Sequence, residues 1–314
     1  MPAKLLAIVG PTGTGKSELA IRVAQALLDS GRMAEIVNAD AMQLYRGMDI
    51  GTAKLPTPER RGIVHHLIDV LDVTEESTAA EFQKLARSKI LEIQARGAVP
   101  ILVGGSMLYI AAVLNNFEFP ARDKELRARL EHELVELGPT AMHQKLVELD
   151  ASAASRIDPE NGRRMVRALE IVTLTGEPFA AALPDEIDSW QEVLEIGLRM
   201  DREILVARLE ERVRGMWERG MVEETKGLIS KGLRESVTAG YAIGYAQAIA
   251  QIDGELSQEQ AIESTAKLTQ KYARRQMSWF KRDNRINWLD ALDPEVTNLA
   301  IELVRKHGLL ASRP

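Results

Sequence analysis

The segment from Lys4 to Ser17, KLLAIVGPTGTGKS, decides the fold. Its first half, Lys4 to Val9, is a short aliphatic run closed by Gly10-Pro11, the pattern of a buried parallel strand. Its second half, Gly10-Pro11-Thr12-Gly13-Thr14-Gly15-Lys16-Ser17, matches G-x-x-x-x-G-K-[ST]. Apolar residues at helical spacing follow from Leu19 to Leu28 and stop near Gly31. Strand, glycine-rich turn and helix in this order make a P-loop. The glycines let successive backbone N–H groups turn inward as an anion nest, and the helix adds its positive N-terminal end. Lys16 can reach a terminal phosphate, and the Ser17 hydroxyl can complete the shell of a Mg²⁺ held mostly by phosphates and water. Residues Gly10 to Ser17 are therefore the candidate diphosphate- or nucleotide-binding residues, and Ser17 the candidate metal contact. The competing interpretation is a strand-helix turn with no ligand.

Outward from this segment, Glu35 to Val37, Val64 to Val70 and Ile101 to Val103 have the texture of further strands. Thr78 to Arg96 between the last two is expected to be a helix with Phe82, Leu85, Ala86 and Ile93 on one side. Strands alternating with helices predict an α/β protein with a P-loop NTPase-like, doubly wound parallel sheet. After Asn116 the texture changes. Arg122 to Pro184 is charged and helical, punctuated by Gly138-Pro139, Asp158-Pro159 and Glu177-Pro178. This predicts a helical insertion domain. Val193 to Met200 reads as a strand returning to the sheet, and a helical C-terminal region runs from Asp201 onward. The expected division is 1–118 for the first part of the core, 119–190 for the insertion and 191–314 for the second part.

The composition sets bounds on function. Of 314 residues 45% are hydrophobic, enough for a large core, and aromatics at 4% make its packing aliphatic. Cysteine is absent, which removes disulfides, thiolate catalysis and cysteine-ligated zinc and fits a reducing compartment. No signal-peptide pattern opens the sequence and no apolar run approaches the ~20 residues of a membrane span. A cytoplasmic, monomeric protein with no membrane partner is expected. The net charge of -6 argues against a uniformly basic nucleic-acid binder but leaves local patches open.

The chemistry next to the P-loop must come from the strand ends. Leu67-Ile68-Asp69 is the candidate for the strand-end carboxylate that an NTP hydrolase uses for Mg²⁺. His65 and His66, at a strand start, are expected to be structural. Asn38-Ala39-Asp40-Ala41-Met42-Gln43 follows the second strand, so Asp40 lies at the carboxyl edge of the sheet, where ligands bind in doubly wound folds. It is either a base or a turn-capping carboxylate. Gly104-Gly105-Ser106 reaches the same edge after the fourth strand, with Ser106 either a site hydroxyl or an N-cap.

At this point the sequence closely resembles the bacterial tRNA dimethylallyltransferases. The resemblance rests on the P-loop, on Asn38 to Gln43 with Tyr45 to Lys54 (YRGMDIGTAK), and on Leu102 to Tyr109 (LVGGSMLY). It extends to Ala242-Ile243-Gly244-Tyr245 and to Arg274 through Phe280 (RRQMSWF), so its motifs span nearly the whole chain in order. The resemblance implies that the P-loop holds the diphosphate of dimethylallyl diphosphate, and that the acceptor is the N6 amine of the adenine beside the tRNA anticodon. It implies that Asp40 takes a proton from that amine, and that Asp40, Ala41, Met42, Gln43 and Ser106 line the pocket for the turned-out base. Ser106 stands where the family often has Thr, and Ala246 where it often has a basic residue.

Arg212 is the candidate second catalytic residue. Between Arg202 and Arg219, Leu205, Leu209, Val213 and Met216 form an apolar stripe with Arg212 at its edge, placed to meet an anion, to snorkel or to form a structural salt bridge. The family match makes it the cation on the departing diphosphate, with Arg202 and Arg208 as lesser candidates. Further on, Lys271, Arg274, Arg275, Lys281 and Arg282 share an arc opposite Tyr272, Ala273, Met277, Trp279 and Phe280. A one-sided basic stripe is either a solvated face or a phosphate track. By resemblance Arg274, Arg275 and Lys281 contact tRNA, as do Arg127, Arg163, Arg164 and Arg167 of the insertion. The alternatives are a small-molecule P-loop kinase and a prenyltransferase acting on free adenine nucleotides.

Overall fold

The five residues of β1 (Leu5–Val9) are buried on both faces of a sheet. Leu6 and Ile8 pack with Leu19, Val23 and Leu27, whereas Leu5, Ala7 and Val9 pack with Phe82, Ile90 and Ile110. A strand covered on both sides has no solvent face to pattern, so its sequence is a continuous apolar run. The computed structural model describes residues 5–120, 122–179 and 188–310. The strand start expected at Lys4 and the end of the helical stretch expected at Pro184 lie outside the described residues.

After β1 come α1 (Lys16–Asp29), β2 (Ala34–Asn38), β3 (His65–His66), α2 (Ala79–Ala95), β4 (Val99–Gly104) and α3 (Met107–Leu114). The helices α4 (Lys124–Leu149), α5 (Ala151–Ala154) and α6 (Gly162–Thr175) follow. The chain then forms β5 (Val193–Arg199), α7 (Arg202–Glu218), α8 (Met221–Ile229), α9 (Tyr245–Ile252), α10 (Gln258–Phe280), β6 (Ile286–Asp290) and α11 (Val296–Lys306). The strands are mutually parallel in the order β3-β2-β4-β1-β5-β6. This is the doubly wound P-loop NTPase-like sheet, with β1 between β4 and β5.

Three expectations need correction. The third strand spans two residues rather than Val64 to Val70, because Leu67 (φ 59°) and Asp69 (φ 57°) adopt left-handed backbone that cannot continue a ladder. The C-terminal region is not wholly helical: Ile286 to Asp290 pairs with β5 as an edge strand. Leu85 does not join Phe82, Ala86 and Ile93 in the core but is 50% exposed.

Two compact units result. One comprises Met1–Asn116 with Ser189–Pro314, the other Phe117–Asp188. The second has its own core of Leu126, Leu130, Met142, Leu146, Met165 and Leu169. Its α4 breaks at Gly138 (φ 78°), where Pro139 excludes the helical conformation of the residue before it. In the first unit the chain leaves and returns at neighbouring points. Asn115 and Ser189 form an antiparallel bridge, and Trp190 N donates to Leu114 O at 2.8 Å.

Candidate active site

The P-loop is shaped by three glycines with positive φ: Gly10 (139°), Gly13 (86°) and Gly15 (88°). At Gly10 a Cβ would lie 2.5 Å from the carbonyl oxygen of Leu198 on β5, so no larger residue fits between β1 and its neighbour. Inside the loop, Thr14 Oγ1 and Lys16 Nζ both donate to the carbonyl of Pro11, at 2.9 and 2.6 Å. Burial lowers the pKa of Lys16 from its ordinary value to about 8; the Asp40 carboxylate opposes this and the Arg212 guanidinium adds to it. Three charges from three distant stretches of sequence thus act on one another beside the loop.

Arg212 comes from α7. Its Nη1 donates to Thr12 Oγ1 at 3.0 Å, while its Nε is buried without a hydrogen-bond partner. Burial depresses its pKa, and Asp40 partly offsets the effect. A desolvated guanidinium with an unused N–H is suited to an incoming polyanion, since an unmet buried donor is costly. Ser17 is exposed at the start of α1.

The edge facing the P-loop is built from the ends of β2 and β4. Asp40 caps the 3-10 turn Ala41–Leu44, its Oδ1 accepting from Met42 N at 3.0 Å. Asn38 steadies it: Oδ1 accepts from Asp40 N at 3.1 Å, and Nδ2 donates to Asp40 O at 3.2 Å and Leu67 O at 2.9 Å. Asp40 is therefore a capping residue and a neighbour of the P-loop cations at once. Ser106 precedes α3, but its hydroxyl makes no cap bond there and accepts instead from Ala41 N at 2.9 Å. Gly104 has no room for a side chain, because a Cβ would lie 2.3 Å from Ala39 O.

Sequence reasoning missed Gln276. It is 2% exposed within an otherwise basic stretch; Oε1 accepts from Thr12 N at 2.9 Å and Nε2 donates to Gly105 O at 2.7 Å. Four residues earlier on α10, Tyr272 faces Asp40, Ser106 and Gln276, and burial chiefly, then the Asp40 carboxylate, pushes its hydroxyl up to about 12. The available signal was a polar residue spaced i, i+4 from Tyr272 on the packed side of the helix.

The motif from Tyr45 to Lys54 supports this edge from behind. Lys54 Nζ is buried and donates to Asp49 and Asp69, each at 2.6 Å, and to Tyr45 O at 2.9 Å. Asp69, the candidate hydrolase carboxylate, is thus engaged by Lys54. The Glu224 carboxylate accepts from the backbone N–H of Asp49 and Ile50 and from the Tyr245 hydroxyl at 2.6 Å. His66 pairs with Glu35 at 2.5 Å, and His65 Nδ1 contacts Ile63 O at 2.9 Å.

Of the basic candidates, Lys271, Arg274 and Arg275 are exposed on α10, whereas Ala273, Gln276 and Phe280 are buried. Lys281 and Arg282 follow the end of the helix. A cavity of about 450 Å³ beside Pro11 is lined by Leu205, Leu209 and Met277 and by Arg202, Arg274 and Lys281. In the other unit, Arg127 and Arg167 approach the fully buried Glu170 at 3.5 and 2.7 Å, and Arg163 and Arg164 are exposed in the first turn of α6.

The family model for IPP transferases matches residues 43–283. The chain belongs to the IPP transferase family. It is 54% identical over 310 residues to a tRNA dimethylallyltransferase of Clavibacter sepedonicus, covering 99% of both chains. It is 52% identical to that of Mycolicibacterium gilvum, covering 98% of both. Among solved structures, a full-length tRNA isopentenylpyrophosphate transferase from Bacillus halodurans superposes with TM-score 0.70 at 37% identity, covering 97% of this chain and 98% of that one. A eukaryotic dimethylallyltransferase acting on tRNA gives TM-score 0.77 at 29% identity, covering 99% and 80%. Relatives about 50% identical over nearly the whole chain are tRNA dimethylallyltransferases, so the site is that of a prenyl-transferring enzyme.

Proposed function

We propose that this enzyme transfers the dimethylallyl group of dimethylallyl diphosphate to the N6 amine of the adenine beside the tRNA anticodon. The observation that carries this reading is the convergence of Lys16, Arg212 and Asp40 on one P-loop: two cations for a departing diphosphate and one carboxylate for a proton. The N6 lone pair forms a bond to C1 of the prenyl group as the C1–O bond breaks. That bonding pair leaves on diphosphate, and a proton of the amine passes to Asp40 and on to solvent. An exocyclic adenine amine is a weak nucleophile, so alignment and a proton acceptor are the protein's main contribution. Lys16, Arg212 and the P-loop N–H groups meet the charge that grows on the leaving group.

Ser17, exposed at the start of α1, is the residue that would hold a divalent cation of the P-loop kind. Among the described residues no cluster of three His, Cys, Asp or Glu is arranged for a metal, so Mg²⁺ would rest on Ser17 and on oxygens of the substrate and water. When bound, it neutralises the diphosphate and assists its departure.

Arg274, Arg275 and Lys281, with Arg127, Arg163, Arg164 and Arg167, are the proposed contacts to the anticodon stem-loop, and Ala41, Met42, Gln43 and Ser106 the proposed lining for the turned-out base. The relatives' names favour tRNA over free adenine nucleotides and over a kinase acceptor. No helix among the described residues is long and apolar enough to cross a membrane, and we place the enzyme in the cytoplasm as a monomer. Incubating the purified protein with dimethylallyl diphosphate, Mg²⁺ and unmodified tRNA should yield the prenylated nucleoside and intact diphosphate without ATP. Orthophosphate as the direct product, or no prenylated nucleoside, would overturn the reading.

A further inference from the structure

Gln276 occupies a place that its surroundings make unusual. Its neighbours Arg274 and Arg275 point to solvent, yet its own side chain is 2% exposed and bonded at both ends to glycine-rich loops. One end accepts from Thr12 N within the P-loop; the other donates to the carbonyl of Gly105, on the turn that leads to Ser106. Thr12 is itself held from the opposite side by Arg212 through its hydroxyl. A Cβ at Gly105 would stand 2.4 Å from Gln276 Nε2 and 3.1 Å from Gly10 O. One side-chain amide therefore spans the gap between the loop for the leaving group and the turn whose Ser106 bonds to Ala41, next to Asp40.

We propose that Gln276 is a positioning residue for prenyl transfer, fixing the separation of the P-loop from the Ser106–Ala41–Asp40 edge so that the allylic carbon and the acceptor amine meet in line. The inference rests on the prenyl-transfer reading given above. The amide satisfies both contacts at once: an ionised carboxylate accepts from Thr12 N but repels the Gly105 carbonyl, and a thioether is a weak acceptor with no donor for Gly105 O. Tyr272, one turn earlier, faces Ser106 and Asp40 from the same side of α10, so this face of the helix braces both halves of the reaction. Misplacing reacting atoms by about 1 Å costs on the order of 10²-fold in rate.

The test is single-turnover prenylation of an unmodified anticodon stem-loop at saturating dimethylallyl diphosphate and Mg²⁺, with KM values and melting curves alongside. Gln276→Met keeps the volume and removes both hydrogen bonds. It should slow the chemical step by about 10- to 100-fold while the KM for the stem-loop stays within about twofold. Gln276→Glu, which retains the bond from Thr12 N, should be slow as well and also bind dimethylallyl diphosphate more weakly, because it brings a negative charge to the loop. A wild-type chemical rate in Gln276→Met overturns the proposal, as does a rate lost only in step with the folded fraction on melting. Wild-type protein that forms no prenylated product overturns the reading of the reaction instead, so the two failures are distinguishable.

Discussion

Asp40 has two duties that one substitution can separate. Its Oδ1 accepts from Met42 N, and its charge acts on Lys16 and Arg212. Asp40→Asn keeps an acceptor oxygen for the turn and removes the proposed proton acceptor. The turn, the melting temperature and diphosphate affinity should survive, while single-turnover transfer slows by about 10²- to 10⁴-fold. A chemical rate near wild type would take Asp40 out of the reaction. Lys16 sets a second expectation. In the free protein its ammonium titrates near 8, below its ordinary 10.5, because burial favours the neutral form. A bound diphosphate favours the protonated form, so above pH 8 binding must take up a proton. Affinity for dimethylallyl diphosphate should be level below that pH and weaken as pH rises through it, and Lys16→Met should flatten the profile. Calorimetry at pH 8.5 in buffers of different ionisation enthalpy measures the uptake directly; none at all would contradict the assignment.

Among the elements, α10 divides cleanly by face. Its buried side carries Ala273, Gln276 and Phe280, and its exposed side Lys271, Arg274 and Arg275. Arg275→Glu should raise the KM for tRNA and lower the steepness of its salt dependence by roughly one phosphate contact, with diphosphate affinity retained. An unchanged salt slope would reduce this face to solvated surface. Helical periodicity made α1, α2 and α7 readable in advance, and short aliphatic runs did the same for β1, β2, β4 and β5. Where neither signal is present the elements are not readable. β3 ends after two residues because of the backbone at Leu67 and Asp69, which no hydropathy pattern encodes. β6 is an edge strand of mixed polarity, INWLD, lying directly after a long helix. Within the site, Lys16 and Asp40 were legible because a loop motif and a strand end locate them. Gln276 was not, since its partners Thr12 and Gly105 lie 264 and 171 residues away in sequence.

At the scale of the molecule, the unit Phe117–Asp188 is an inserted piece with its own core, and the other unit brings its two attachment points together at Asn115 and Ser189. Joining 116 to 189 through a short Gly/Ser linker should therefore leave a folded sheet that binds dimethylallyl diphosphate nearly as the full chain does. If the basic residues of the insertion hold tRNA, the shortened protein should lose most of its affinity for it. Retention of full tRNA affinity would move the recognition surface to α10 alone. Loss of diphosphate binding would show that the sheet depends on the insertion.

The bond between Arg212 and Thr12 joins residues 200 positions apart, and β1 lies between β4 and β5, which is made only from Val193 onward. At ribosomal speeds of about 5–20 residues per second, the P-loop emerges ~10–40 s before Arg212 does. Until β5 is made one edge of β1 has no partner, and until α7 and α10 follow, the loop lacks its hydrogen bonds to Arg212 and Gln276. Premature release before α10 is translated thus gives a fragment without the edge strand β6, without Gln276 and without the basic face of α10.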